Sequence, residues 1–192
     1  MRVMAKAVLI VPIVILHWLY RAGLVQFITI SCGLAPVPGK LGTWWRRMWY
    51  ERALPRCGPY LFANWMSVIL MPTTTIGQRV YLGPFCSVSD ADIGDHAMLG
   101  TRASVVLGNH QHGIDRRDIP MAQQDGQLRR ITIGADVWVG AAALIMADVA
   151  EGSIVGGGAV VTKTFEPYSI LAGVPAKVMR QRPVGAREGA PA

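Results

Sequence analysis

Between Gly108 and Arg130 the chain carries side chains suited to moving a proton near neutral pH. His110 and His112 are separated by one residue, Asn109 precedes them, and Asp115 and Asp118 follow. An imidazole titrates close to neutrality, so it can take a proton from a hydroxyl as that oxygen attacks an activated carbonyl. A nearby carboxylate can hold such a ring in its productive tautomer, and spacing leaves Asp115 and Asp118 as equal candidates. Asn109 has two readings, contact with an acceptor or support of the loop. The rest of the segment is polar, with Arg116, Arg117, Gln123, Gln124, Asp125, Gln127, Arg129 and Arg130, and with Gly113 and Pro120 marking turns. A long polar insertion in a compact domain points to function, with a plain surface loop as the alternative.

The elements around this segment must hold it still. Ile76, Leu82 and Val88 are six residues apart, as are Leu99 and Val105, with Ile93 one residue out of step. Beyond the insertion Ile133, Val139 and Ile145 keep the period, and Val149, Val155 and Val161 repeat it with a shift of two. Gly77, Gly83, Gly94, Gly100, Gly134, Gly140 and Gly156 directly follow these apolar residues. The period is wrong for an amphipathic helix, and glycine is too frequent. Short extended edges each offering one apolar side chain inward, with small residues Ser87, Ala103, Val137, Ala143, Ser153 and Ala159 filling a narrow interior, predict an all-β core in the form of a parallel β-helix. A small sandwich is the alternative. One winding cannot bury its own apolar face, so the windings must stack. Cys86 reads as a small core residue rather than a nucleophile. With Cys32 and Cys57 it forms neither a disulfide framework nor a metal spacing.

Three stretches carry a family resemblance: Ile133-Gly134-Ala135-Asp136-Val137-Trp138-Val139-Gly140, Val155–Lys163 with its run Gly156-Gly157-Gly158, and Pro167–Val178 with Ala172-Gly173-Val174-Pro175-Ala176-Lys177. Over roughly residues 76–182 the chain resembles the hexapeptide-repeat acyltransferases, most of all the O-acetyltransferases of polysaccharides and lipopolysaccharide. The resemblance implies a left-handed β-helix of about three hexapeptides per turn, assembled as a homotrimer, with acetyl-CoA as cosubstrate and no metal. It places His110 at the family's catalytic histidine, shortly before an aspartate- and proline-containing stretch; His112 is the second candidate for general base. It also matches Trp138, Ala141, Ala142, Gly157, Gly158 and Gly173 to the donor groove, where small side chains admit a pantetheine arm, each with ordinary packing as its other reading. Lys163, Lys177, Arg180 and Arg182 are candidates for the CoA phosphates. The stretch Met146–Gly152 is two residues short of two hexapeptides, so a tightened corner is expected there.

Two other functions share this scaffold. A zinc hydratase of the γ-type carbonic anhydrase kind would use three histidines, and His96, His110 and His112 supply the count but not that family's spacing. A noncatalytic scaffold at a membrane is the other.

Residues 1–59 differ in kind from the remainder. They hold eight basic groups (Arg2, Lys6, Arg21, Lys40, Arg46, Arg47, Arg52, Arg56) and one acid, Glu51, so they carry the whole net charge of +7. The apolar stretches Ala7–Leu16 and Leu24–Ile30 are each shorter than the roughly 20 residues that cross a bilayer. Interrupted by Pro12, His17 and Arg21, they predict short helices lying on an anionic membrane surface; a true span, a buried soluble helix and a cleaved signal segment are the alternatives. Trp44-Trp45-Arg46-Arg47-Met48-Trp49-Tyr50 suits the headgroup region, with docking on the body as its other reading. No nucleic-acid module accompanies the charge. The chain therefore divides into a membrane-associating helical region (1–59), a β-helix acyltransferase domain (60–182) with its loop at 108–130, and a flexible tail (183–192). The expected acceptor is a glycan or lipid-linked saccharide at the cytoplasmic side of a membrane, with the protein peripheral or monotopic.

Overall fold

The structure is a computed structural model describing residues 2–183, with side chains from residue 10 onward. Residues 184–192 of the expected tail, and the side chains of Arg2 and Lys6, lie outside the described residues.

The described residues form a parallel solenoid of about six turns, preceded by three helices. Each of the first four turns adds one short strand to each of three faces; the fifth adds strands to the second and third only, and the last to the second. The first face holds β1 (Arg56–Cys57), β4 (Thr75–Ile76), β7 (Ala91–Ile93) and β10 (Ile131–Ile133). The second holds β2 (Phe62–Ala63), β5 (Tyr81–Leu82), β8 (Met98–Leu99), β11 (Trp138–Val139), β13 (Ile154–Val155), β15 (Ser169–Ala172) and, antiparallel at its end, β16 (Lys177–Gln181). The third holds β3 (Val68–Ile69), β6 (Ser87–Val88), β9 (Ser104–Val105), β12 (Leu144–Ile145) and β14 (Val160–Val161).

The period of six is this three-sided winding. Ile76 pairs with Ile93, Leu82 with Leu99 and Val88 with Val105, and all are at most 1% exposed. Full burial of such a side chain contributes about 1.5–3 kcal/mol, so these columns dominate the stability of strands too short to stand alone. Stacked partners lie 17 residues apart at Thr75–Asp92 and Ser87–Ser104, and 16 apart at Ser153–Ser169, instead of the 18 that three hexapeptides would give. The missing residues are taken from the corner between the third and first faces. Ile93 is out of step for that reason, and Val149 bridges directly to Ile133. The tightened corner expected after Ile145 is there, with Asp148 Oδ1 accepting from the Thr132 amide at 2.9 Å. Close stacking also explains the glycines: a Cβ on Gly94 would lie 2.5 Å from the Ala135 amide nitrogen of the next turn.

Ser87 is not an interior residue. Its hydroxyl faces outward to that of Ser104 at 2.9 Å, and Cys86 takes the interior place, fully buried with its thiol pushed up to about 12 by burial. No thiolate nucleophile is available from it.

The helices are α1 (Arg2–Arg21), α2 (Phe27–Leu34) and α3 (Gly39–Ala53). α1 continues through Pro12 and His17, which sequence alone suggested would interrupt it. Among the described residues no helix is long and apolar enough to cross a membrane. α2 and α3 pack on β1, β2 and β3 and so cover the open end of the first turn, as an end of a solenoid requires. The winding begins at Arg56, ahead of the division at 59/60, and the helices share its apolar core.

This packing corrects the headgroup reading of Trp44–Tyr50. Arg46, Trp49 and Tyr50 are fully buried and Met48 is 6% exposed. Trp49 Nε1 donates to Ser31 Oγ at 3.0 Å, and the Tyr50 hydroxyl accepts from the Ile69 amide at 3.0 Å. Burial pushes that phenol up to about 12. Arg46 donates to the carbonyls of Leu34 (2.9 Å), Ala35 (3.0 Å), Val37 (2.9 Å) and Ala63 (3.1 Å). A cation at the carbonyl end of α2 is favourably placed toward the helix dipole, and the same guanidinium ties α2, α3 and β2 together.

Candidate active site: a histidine loop and a small-residue corner

The 108–130 segment leaves the solenoid after β9 and re-enters at β10, so it projects from the corner between the third and first faces. It folds back on itself. His110 bridges Gln127 antiparallel, and the Gln127 amide donates to the His110 carbonyl at 2.6 Å. Gly126 makes this closure possible, since a Cβ there would lie 2.1 Å from the Gln111 carbonyl oxygen. A short 3-10 turn, Met121–Gln123, follows Pro120.

Both ends of the loop are pinned to the body. Asn109 Nδ2 donates to the Thr162 carbonyl at 2.5 Å and so anchors the loop's entry. Arg129 pairs with Asp148, and Arg130 spans Asp90 (3.0 Å) and Asp92 (2.6 Å) on the first face. The Arg130 guanidinium holds the Asp92 carboxyl below its usual range. A lowered carboxyl contributes stability above its unfolded titration, near pH 4, and loses it as pH falls through the folded value. We expect Arg130→Met to remove that acid-side dependence and, by freeing the loop's exit, to lower turnover at neutral pH more than it lowers melting temperature. Melting curves from pH 3 to 7 beside initial rates check both; unchanged turnover would count against the clamp.

His110 and His112 are exposed and line one cleft of about 390 Å³ with Gly113, Ile114, Asp115, Asp125, Gly126 and Gln127. Asp115 therefore shares the cleft with both rings. Asp118 does not: Arg116 takes it in a two-pronged ion pair, which holds its carboxyl below the ordinary range. The structure thus separates two carboxylates that spacing left equal, although no hydrogen bond joins an imidazole to Asp115 among the described residues. Asp125, one of the polar run but not among the candidates named from type and spacing, also lines the cleft, at an Asp-Gly dipeptide of the kind that favours a turn.

The donor-groove residues lie elsewhere. Ala141, Ala142, Gly157, Gly158 and Gly173 stack in one column at the corner between the second and third faces. The Gly158 amide donates to the Ala141 carbonyl (2.8 Å), and the Val160 amide to that of Gly173 (3.1 Å). All five are exposed, and a Cβ at Gly158 would meet nothing within 4 Å, so this edge is open. Trp138 is 51% exposed on the second face beside that corner, stacked in register between Met98 and Ile154. Lys163 stands apart from the column, next to Thr162 at the histidine-loop corner, with its ammonium 5.5 Å from the Phe165 ring centre. Lys177 and Arg180 are exposed on β16. Arg182 is engaged with Asp136 at 2.6 Å and the Gly152 carbonyl at 3.1 Å, so it serves the fold. One chain therefore brings His110, His112, Asp115 and Lys163 to one edge and the small-residue column to another.

His96 sits on the corner between the first and second faces, its amide bonded to the Gln78 carbonyl at 2.9 Å. The three histidines counted for a zinc site do not share a corner. Among the described residues no group of three or more His, Cys, Asp or Glu is placed to hold a metal.

No protein-family model matches the chain. A chloramphenicol acetyltransferase of Agrobacterium fabrum is 50% identical over 120 residues, which is 55% of this chain and 53% of that protein. The chain spans between 53% and 58% of the length of the first curated relatives it matches. A maltose O-acetyltransferase from Clostridium difficile 630 superposes with TM-score 0.71 at 17% identity, covering 82% of this chain and 86% of that one. A hexapeptide-repeat acetyltransferase of Vibrio cholerae O1 biovar eltor, solved with acetyl-CoA, gives TM-score 0.67 at 21% identity over 83% of this chain and 89% of that one. The three-faced coil matches the fold of these two acetyltransferase structures, and over 55% to 59% of its length the chain is similar in sequence to chloramphenicol acetyltransferases.

Proposed function

We propose that this protein is an acyl-CoA-dependent O-acetyltransferase that moves an acetyl group from acetyl-CoA to a hydroxyl, with His110 as general base. The observation that carries the reading is the cleft shared by His110, His112 and Asp115 on a pinned loop of an acyltransferase-like coil. His110 takes the acceptor's hydroxyl proton as its oxygen attacks the thioester carbonyl. The tetrahedral oxyanion is met by backbone N–H groups. Its collapse expels the CoA thiolate, which recovers the proton from the imidazolium. Asp115 orients the ring.

The separation of loop and column supports a site made between copies, in a homotrimer whose left-handed coils stand side by side. The histidine loop of one copy then faces Ala142 and Gly158 of the next, and the pantetheine arm runs along that column. The second face offers a fitting contact. Phe62, Tyr81, Met98, Trp138, Ile154 and Ile170 stack in register as an outward apolar ladder, with Phe62, Met98 and Trp138 46–51% exposed. Lys163, Lys177 and Arg180 are the available cations for the CoA phosphates.

The acceptor is a glycan or lipid-linked saccharide presented at the cytoplasmic leaflet, a reading supported by exposed apolar side chains on the basic helical region. A second reading, favoured by the 50% identity to a chloramphenicol acetyltransferase, is a small free alcohol. Incubating the protein with labelled acetyl-CoA and either membrane glycans or chloramphenicol separates the two. Label on glycan, resolved by mass, is the expected result; label on chloramphenicol alone moves the acceptor to the second reading, and label on neither rejects the activity.

A further inference from the structure

Beside the solenoid's capped end lies a cavity that transfer chemistry does not use. It has a volume of about 330 Å³ and is lined by His17, Tyr20 and Arg21 at the end of α1 and by Arg52 and Ala53 at the end of α3. No carboxylate lines it. Glu51, the one acid among residues 1–59, is paired with Arg47 at 2.6 Å and is not in the lining. Arg52 spends one donor on the Met48 carbonyl at 3.0 Å, leaving the rest of its fork free to reach a ligand. The buried Nδ1 of His17 has no hydrogen-bond partner among the described residues. Burial, then Arg21 and Arg52, hold that imidazole below its ordinary value, as a positive hollow without a counter-ion would.

The surface next to it is apolar. Val11 (51% exposed), Ile15 (53%) and Trp18 (69%) recur along α1 at the spacing that puts them on one side of a helix. Leu24 (72%) and Ile28 (41%) extend the patch past the α1–α2 turn. On the opposite side of α1, Ile13 is fully buried and Tyr20 packs on Trp49 with ring centres 5.5 Å apart. His17 and Arg21 fall on the flank between the two sides. An interfacial helix needs this layout: an apolar stripe for acyl chains, with cations at its shoulder for phosphates.

We propose that the His17–Arg21–Arg52 hollow receives the phosphate of an anionic glycerophospholipid, and that the Val11–Ile15–Trp18 stripe seats in the same leaflet. This deepens the membrane-surface part of the proposed function and is independent of the transfer step. Two arginines at the phosphate level give two charge-assisted contacts, and each cation near an anionic surface is worth about a five-fold change in partition. The occupant is the leaflet: a second copy of this chain, being basic in the same place, would meet the hollow with like charge.

The test is co-sedimentation of the full chain with vesicles of phosphatidylcholine alone, or of phosphatidylcholine with phosphatidylglycerol. Arg21→Gln with Arg52→Gln is compared with Trp18→Ser; these side chains are exposed, and a melting curve shows that each variant is folded. We expect preference for the anionic vesicles, a roughly 20-fold loss of that preference in the double arginine variant, and weakened binding to both compositions in Trp18→Ser. Wild-type preference in the arginine variant overturns the proposal. So does displacement from vesicles by millimolar inorganic phosphate at constant ionic strength, which assigns the hollow to free phosphate. A fall in oligomeric mass in Trp18→Ser with unchanged vesicle binding assigns the stripe to a second copy. Acetyl transfer to a water-soluble acceptor, measured alongside, distinguishes failure here from failure of the enzyme reading: it stays at wild-type rate in all three proteins if that reading holds, whatever the vesicles show.

Discussion

Replacing His110 with alanine is expected to lower turnover about 10²- to 10⁴-fold, the usual contribution of a positioned general base, with acetyl-CoA binding unchanged. The small-residue column proposed to hold the pantetheine arm is on another corner of the coil, so removing the ring leaves that column intact and costs the donor at most a contact at its sulfur. The backbone of the loop should also persist. It is the His110 carbonyl that accepts from Gln127, and Asn109, Arg129 and Arg130 still hold both ends. His112→Ala is expected to raise KM for the acceptor and to change kcat much less, as a positioning group would. Steady-state rates with both substrates varied, beside CoA binding by calorimetry, separate the two rings. If His112→Ala loses turnover while His110→Ala keeps it, the base must be reassigned across the cleft.

The largest stability effect is expected far from the loop, at Arg46. Arg46→Met removes a donor from four carbonyls between α2, α3 and β2; those of Leu34 and Ala35 keep the Val37 and Met66 amides, and those of Val37 and Ala63 are left dry. Each orphaned acceptor costs on the order of 1–3 kcal/mol where water cannot reach it, and methionine recovers only packing. Allowing for relaxation, about 3–5 kcal/mol is expected, a large part of a typical domain's total stability. Arg46→Lys should recover less than half, because an ammonium cannot span four carbonyls as the planar fork does. Urea titration followed by Trp49 fluorescence gives the number; a loss below about 1 kcal/mol would mean that the carbonyls find other partners.

The contrast between these two positions shows what the sequence could and could not tell. The coil was legible because one side chain per edge must point inward, and even its irregularities were written there. The single-residue slip at Ile93 and the two-residue slip at Val149 are the shortened corner between the third and first faces. The interior parity at Ser87 was misread by one place, since serine and cysteine are both small enough for either side. Trp44–Tyr50 was misread more seriously. Aromatics with arginines suit a headgroup layer and an end-cap equally well by composition, and what decides is a set of backbone carbonyls that no sequence displays.

The histidine loop stands out in the sequence by residue type and spacing. The choice of Asp115 over Asp118 depended on Arg116 capturing the latter, and the clamp on the loop's exit depended on Arg130 reaching aspartates 38 and 40 residues earlier. The placement of the glycine–alanine column and the histidine loop on different corners follows only from the way three faces close.

Transfer as proposed requires a His110 ring to meet a thioester held at that small-residue column. A crystal structure of the assembled protein with CoA measures this directly. The prediction is a pantetheine arm lying along Ala142 and Gly158, its sulfur within hydrogen-bond reach, or one water's reach, of a His110 ring from a neighbouring copy. A sulfur remote from every His110 ring in the assembly, with the loop still pinned by Asn109 and Arg130, would contradict it.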